Sequence, residues 1–291
     1  MKKNLYLCKA LLFSVGILAF ACRKSIAPDP YIPTDLAKTN QDTTGNGPIP
    51  YPQSVSTNCP YIPNYGDSVI YSQPTASGVD YIIHPANTPV SGRFLSWPAG
   101  LVIDSSNGAI DVTQSITGTR YSVGFVKAGT TDTCLETVIL SGADYADSVY
   151  VLANNENHAP PFFEANSNNA AQCNSGPACH FDITGSAKAM NVSMDNGHGI
   201  IDLGPTLTGV FGNTPLDGAS ANIVFYYTLN DPSNNAVQKM QIQLMYYTSK
   251  SLIPQALLNQ INAKRVNGLL NNLIDFTSSP RPPIIIITRL N

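Results

Sequence analysis

Trp97-Pro-Ala-Gly-Leu-Val-Ile-Asp-Ser-Ser-Asn-Gly-Ala-Ile-Asp-Val112 decides the fold class of this chain. Leu101 and Ile103 lie two apart, on one face of an extended segment. Asp104 to Gly108 supply turn chemistry, and Asn107-Gly108 tolerates positive φ. Ile110 and Val112 then resume the alternation. Apolar alternation, a polar turn and a second alternation predict a β-hairpin.

The pattern extends in both directions. Upstream, Ser68–Tyr71, Asp80–His84 and Gly92–Trp97 are short β-type runs separated by Pro, Gly and Ser. Downstream, Gly118-Thr-Arg-Tyr-Ser-Val-Gly-Phe-Val126 puts Tyr121, Val123 and Phe125 on one face, and Thr133–Leu140 gives one more strand. Strands at intervals of roughly ten residues predict a β-sandwich over 59–152.

The stretch from Trp97 to Val112, with Gly118-Thr-Arg-Tyr-Ser-Val123 after it, resembles the immunoglobulin-like, cadherin-like repeats of bacterial surface proteins. Related segments recur in cell-envelope lipoproteins of the Bacteroidota. The resemblance covers about 35 residues directly and implies an immunoglobulin-like β-sandwich acting as a spacer or adhesive module. It also places Cys59 and Cys134 near opposite ends of that sandwich, where a disulfide between them is expected. The calcium ligands of true cadherins are not matched, since no D-x-D cluster occurs.

Residues 153–291 read as an α+β domain. The loop Cys173-Asn-Ser-Gly-Pro-Ala-Cys179 suits a small disulfide-closed turn. A structural zinc site needs two close ligand pairs, and only one cysteine pair is present, so no metal is assigned. Met190, Val192 and Met194 alternate. Ile223, Phe225, Tyr227 and Leu229 form a strand, Asp231-Pro-Ser-Asn-Asn235 a turn, and Met240, Ile242, Leu244 and Tyr246 the return strand. Ser251 is a candidate N-cap for a helical segment whose apolar positions run from Ile253 to Ile274, with a break at Gly268. Pro280, Pro282 and Pro283 end it, and Ile284–Ile287 predicts a last strand buried on both faces. The fold class is therefore mainly β, an immunoglobulin-like sandwich followed by an antiparallel sheet with a C-terminal helical segment.

Residues 1–21 read as a secretory signal. Lys2, Lys3 and Lys9 give a positive start, Ala10–Phe20 an eleven-residue apolar run, and Ala19-Phe-Ala21 a cleavage site. Cys22 at the cut resembles the lipobox of bacterial lipoproteins, where the thiol receives a diacylglycerol. The usual leucine three places before the cysteine is Ala19 here, with Leu18 one place early. Cysteine parity agrees. Cleavage before Cys22 leaves five of the six cysteines, and lipidating Cys22 leaves four for two disulfides. Residues 22–58 read as a Pro-rich tether; as a flexible coil it would span roughly 35 Å, and as polyproline II at most about 110 Å.

Cleavage moves the formal charge from −3 to −6, with 13 basic against 19 acidic residues. A mildly acidic chain lacks the electrostatic footprint of a nucleic-acid binder. Charged residues make up 12%, against about 25% in an average domain, so amides and hydroxyls solvate the surface. No H-E-x-x-H, G-x-S-x-G, P-loop or G-x-G-x-x-G motif occurs, and nothing calls for a cofactor. His198 in Asp195-Asn-Gly-His-Gly199 reads as a polar turn, Asp104 and Asp111 as turn formers, and Trp97 as a core cap. Half of the tyrosines among Tyr145, Tyr150, Tyr226, Tyr227, Tyr246 and Tyr247 belong to the core by strand alternation.

The expected protein is a non-enzymatic cell-envelope lipoprotein of the outer membrane, periplasmic or surface-exposed. It is held to the membrane by lipid on Cys22, and it binds an unidentified protein or glycan or serves as an adhesion or spacer module. The alternatives are a surface-fibre subunit that donates Ile284–Ile287 by strand addition, and an unrecognised hydrolase centred on His198.

Overall fold

The computed structural model describes residues 59, 61–87, 90–97, 100–165, 173, 179–264 and 282–291. The expected signal, the expected tether with Cys22, and the positions from Leu269 to Ile274 expected to be helical lie outside the described residues. The fold is mainly β, as the alternation predicts.

The first seven strands form two facing sheets. They are β1 Val69–Ile70, β2 Ile82–Ile83, β3 Gly92–Trp97, β4 Val102–Ile103, β5 Ile110–Asp111, β6 Thr119–Lys127 and β7 Thr133–Leu140. One sheet has the order β1-β7-β6-β3 and the other β2-β5-β4. The third, sixth and seventh strands share one sheet, and the second, fourth and fifth share the other. This is the strand partition of an immunoglobulin-like sandwich, with the first strand moved to lie parallel to the seventh. Both sheets feed one core: Phe94, Leu101, Ile103, Ile110, Tyr121, Val123, Phe125 and Leu140 are all buried there.

The hairpin turn differs from a two-residue loop. Asp104 N–H donates to Ala109 O and Gly108 N–H to Asp104 O, both at 2.8 Å. Only Gly108 of the Asn107-Gly108 pair has positive φ (75°). A side chain there would also collide with Phe94, whose ring lies 2.6 Å from the site of a Cβ.

The remaining strands build a second unit. They are β8 Ala143–Tyr145, β9 Ser148–Val151, β10 His158–Ala159, β11 Pro161–Phe163, β12 His180–Phe181, β13 Met194–Asp195, β14 Ile200–Asp202, β15 Ala219–Thr228, β16 Gln238–Ser249 and β17 Ile284–Leu290. Its main sheet has the order β12-β15-β16-β17-β9. The β15–β16 hairpin is the one expected, closed by a turn where Asn234 and Asn235 take positive φ. The last strand, β17, is internal and runs parallel to both neighbours. Ile285 and Ile287 enter the core on one face of the sheet, and Ile284 and Ile286 enter that on the other. Burial on both faces is what the four isoleucines require.

Ala143 and Tyr145 already belong to the second core, so the chain passes from one core to the other at Ser141-Gly142.

Three α-helices lie among the described residues. Helix α1, Ser186–Ala189, ends at Met190, and the tight turn that closes it takes the place of the expected extended Met190–Met194 run, of which only Met194 is in a strand. Helix α2, Leu203–Phe211, follows β14 directly and buries Leu203 and Leu207; its Gly204-Pro205 start hid it from periodicity. Helix α3 is Gln255–Lys264. It begins after Pro254, not at Ser251, whose hydroxyl instead meets that of Ser249 at 2.7 Å. Ile253 and Ile261 pack with Tyr247, Ile284 and Ile286.

Candidate functional site

Both expected disulfides are closed. Cys59 joins Cys134 at the start of β7, and Cys173 joins Cys179, each with Cα atoms 5.4 Å apart. Cys59 is thereby tied covalently to a strand internal to its sheet.

The candidate chemical groups stay apart. His198 Nδ1 pairs with Asp195 Oδ2 at 2.7 Å inside its own exposed turn. Burial pushes the Asp195 carboxyl up, and the His198 bond and the Gly197 N–H outweigh it, leaving it below the usual range. His158 lies opposite Asp202 on the neighbouring strand, His180 is on β12, and His84 belongs to the first unit. Among the described residues, no three His, Cys, Asp or Glu side chains gather where they could hold a metal ion.

Asp104 shapes its turn, accepting from the Ser106 N–H at 2.7 Å and from the Ser106 hydroxyl at 2.6 Å. Those bonds hold its carboxyl below the usual range. Asp111 Oδ1 accepts from Gln114 N–H at 3.0 Å. Burial and the neighbouring Asp80 push its carboxyl up. Trp97 is buried at 3% exposure, with its ring over Gly124. Tyr145, Tyr227, Tyr246 and Tyr247 are buried, Tyr150 is partly buried and Tyr226 is exposed. Tyr246 and Tyr247 occupy the two cores on opposite faces of β16, so both of that adjacent pair are internal.

The most connected polar site was not singled out from the sequence. It is the junction between the two units. Tyr227 on β15 reaches across to the connection after β7: its hydroxyl accepts from Ala143 N–H at 2.9 Å and meets Thr117 Oγ1 at 3.2 Å. The same hydroxyl donates to Gln238 Oε1 at 3.0 Å. Around this centre Tyr71 donates to Glu164 Oε1 at 2.7 Å, and Ser141 donates to Asp231 Oδ2 at 3.1 Å. Gln73 Nε2 donates to Pro232 O, and Asn234 Nδ2 donates to Gln73 Oε1, both at 2.8 Å. The Asp231–Asn235 turn thus docks on the first unit. Gly142, at φ 151°, lets Gln238 Oε1 approach to 2.6 Å from the site of a Cβ. One signal was available: Gln238 stands at the core-facing parity of β16, in series with Met240, Ile242 and Leu244.

No protein-family model matches this chain, and no curated protein matches it.

Proposed function

We propose that this chain is a lipid-anchored cell-envelope protein, a non-enzymatic binding or spacer module held off a membrane by the segment after Cys22. The observation that carries this is the cysteine balance. Two closed disulfides use Cys59, Cys134, Cys173 and Cys179, and they leave Cys22 as the one cysteine beyond the cleavage site without such a role. Disulfides persist in oxidising compartments, which suits an exported chain. A lipidated terminal cysteine accounts for the fifth. The immunoglobulin-like sandwich, bonded through its junction to a second unit, supplies a two-part body at the end of the tether.

Metabolic labelling with palmitate tests the anchor. The wild-type chain should carry label and partition with membranes, and Cys22→Ala should lose both. Label retained in Cys22→Ala would refute the anchor. Binding is tested by glycan and envelope-protein arrays probed with the chain from Cys22 to Asn291.

A fibre subunit is the second proposal, favoured by β17 alone. This strand is apolar on both faces and flanked by parallel partners on both sides. In the single chain it fills its own sheet. Ser249 lies opposite Leu290 in register, and both are accessible. Mixing a Ser249→Cys chain with a Leu290→Cys chain under oxidation should give crosslinked pairs if strands exchange. Crosslinking no greater than between Leu290→Cys and Leu216→Cys would refute exchange.

A further inference from the structure

We propose that the Cys59–Cys134 bridge is a load path, carrying tension from the N-terminal tether past strands β1–β6 and into β7. The inference rests on the anchored reading above for the source of the tension, and on the topology for its route. Of the described residues, Cys59 is the first that a pull transmitted along the chain from its N-terminal side meets. From there the backbone runs through β1 to β6 before returning to Cys134, a separation of 75 residues. The disulfide crosses the same gap with Cα atoms 5.4 Å apart. Tension follows the short covalent route, and the segment between the cysteines carries none of it.

The route beyond Cys134 is well supported. Strand β7 is internal to its sheet, paired with β6 over eight residues and with β1 on its other side. It leads straight to Ser141 and Ala143, which the second unit's Asp231 and Tyr227 side chains bind. A partner gripping the second unit would therefore be joined to the anchor through one disulfide, one internal strand and the polar junction.

The non-covalent alternative is weaker at its first step. Without the bridge, a pull would act on Tyr61, whose ring packs edge-on to Phe94 and Phe125, and then on β1. Strand β1 is held to β7 by two residue pairs only, Val69 with Ile139 and Ile70 with Leu140. Losing that strand opens the core that Ile70 helps close. The first unit would then yield before the second, whose central strands pair over longer ladders.

Force spectroscopy on the chain from Cys22 to Asn291, with handles at its two ends, tests this. The oxidised chain should unfold without releasing the segment between Cys59 and Cys134. Reduction of the folded protein between the handles should add a step of about 250 Å, the extended length of that segment, and this step should come before release of residues 142–291. Opening Cys173–Cys179 adds only about 20 Å and is distinguishable. A Cys59→Ser, Cys134→Ser chain, where it folds, should match the reduced protein. The proposal is overturned if the oxidised chain releases the segment, or if the reduced segment holds to the force at which residues 142–291 unfold. The measurement needs no lipid, so its failure is separate from loss of palmitate labelling at Cys22.

Discussion

Tyr227→Phe removes one oxygen atom from the junction and leaves the ring in place. The ring stacks on Phe181 with centroids 5.3 Å apart and planes 10° from parallel, and phenylalanine keeps that contact. The loss is the hydroxyl's set of bonds. Ala143 N–H is fully buried and loses its acceptor; Gln238 Oε1 loses its donor. Each buried polar group left unpaired costs about 1–3 kcal/mol, so the variant, with two, should lose about 2–6 kcal/mol. That is a large share of the roughly 5–15 kcal/mol available to a folded domain. Urea denaturation followed by fluorescence and far-UV circular dichroism measures it. Because the hydroxyl bridges the two units, the transition should also broaden or split, with a reduced slope in its first phase. Tyr226→Phe is the matched control, since its neighbouring side chain is exposed and the change should stay within about 0.5 kcal/mol. If Tyr227→Phe behaves like Tyr226→Phe in both midpoint and slope, the hydroxyl does not tie the units together.

The two disulfides should differ in thermodynamic weight, because they close loops of 75 and 6 residues. Loop-closure entropy gives about 4.5 kcal/mol for removing Cys59–Cys134 and about 2 kcal/mol for Cys173–Cys179 by paired alanine substitution, read from chemical denaturation. In β17, Ile285→Ala should cost about 2–5 kcal/mol by cavity formation, whereas Leu290→Ala, 55% exposed, should be close to neutral in the same assay. Alkaline pH should destabilise the protein. Burial pushes the phenols of Tyr121, Tyr145 and Tyr227 well above 10. Their stabilisation is full below pH 10, and it falls as pH climbs from 10 towards the folded values, because only the unfolded chain loses those protons. Three such groups give a fall of about 4 kcal/mol in all between pH 9 and 11, measurable by urea titrations over that range; a flat profile would contradict their burial. His198→Ala should leave the unfolding midpoint within about 0.5 kcal/mol, because its only described side-chain partner lies in the same exposed turn.

Local signals in the sequence carried further than long-range ones. Strands β3 and β7 were bounded at their true ends, because Pro, Gly and Ser clusters interrupt the alternation there. The β15–β16 hairpin was legible for the same reason, with Asp231 to Asn235 as its turn. Helix α2 was not, because Gly204 and Pro205 stand where periodicity would be counted and its nine residues hold few apolar repeats. The position of β17 was half legible. Four isoleucines declare burial on two faces, but nothing local says that the neighbours are β16 and β9, more than thirty and more than a hundred residues back. Parallel pairing across such separations leaves no turn signature to read.

The junction escaped for a further physical reason. Its members are common polar residues, each able to serve as an ordinary surface side chain: Gln73, Thr117, Ser141, Asp231, Asn234. Only Gln238 breaks a rule, by placing an amide on the apolar parity of a strand. Burial of an amide is unfavourable unless its bonds are made, so an amide at such a position marks a place where something polar must meet it. Here that partner is the Tyr227 hydroxyl on the adjacent strand of the same hairpin. The hydroxyl in turn binds Ala143, where the chain has just left the first core. The polar exception and the crossover between the cores are therefore one feature. An apolar residue at 238 would leave the Tyr227 hydroxyl without this acceptor. Only the amide oxygen is used in this way, aiming the hydroxyl at the backbone segment that joins the two units; the buried Gln238 Nε2 has no hydrogen-bond partner.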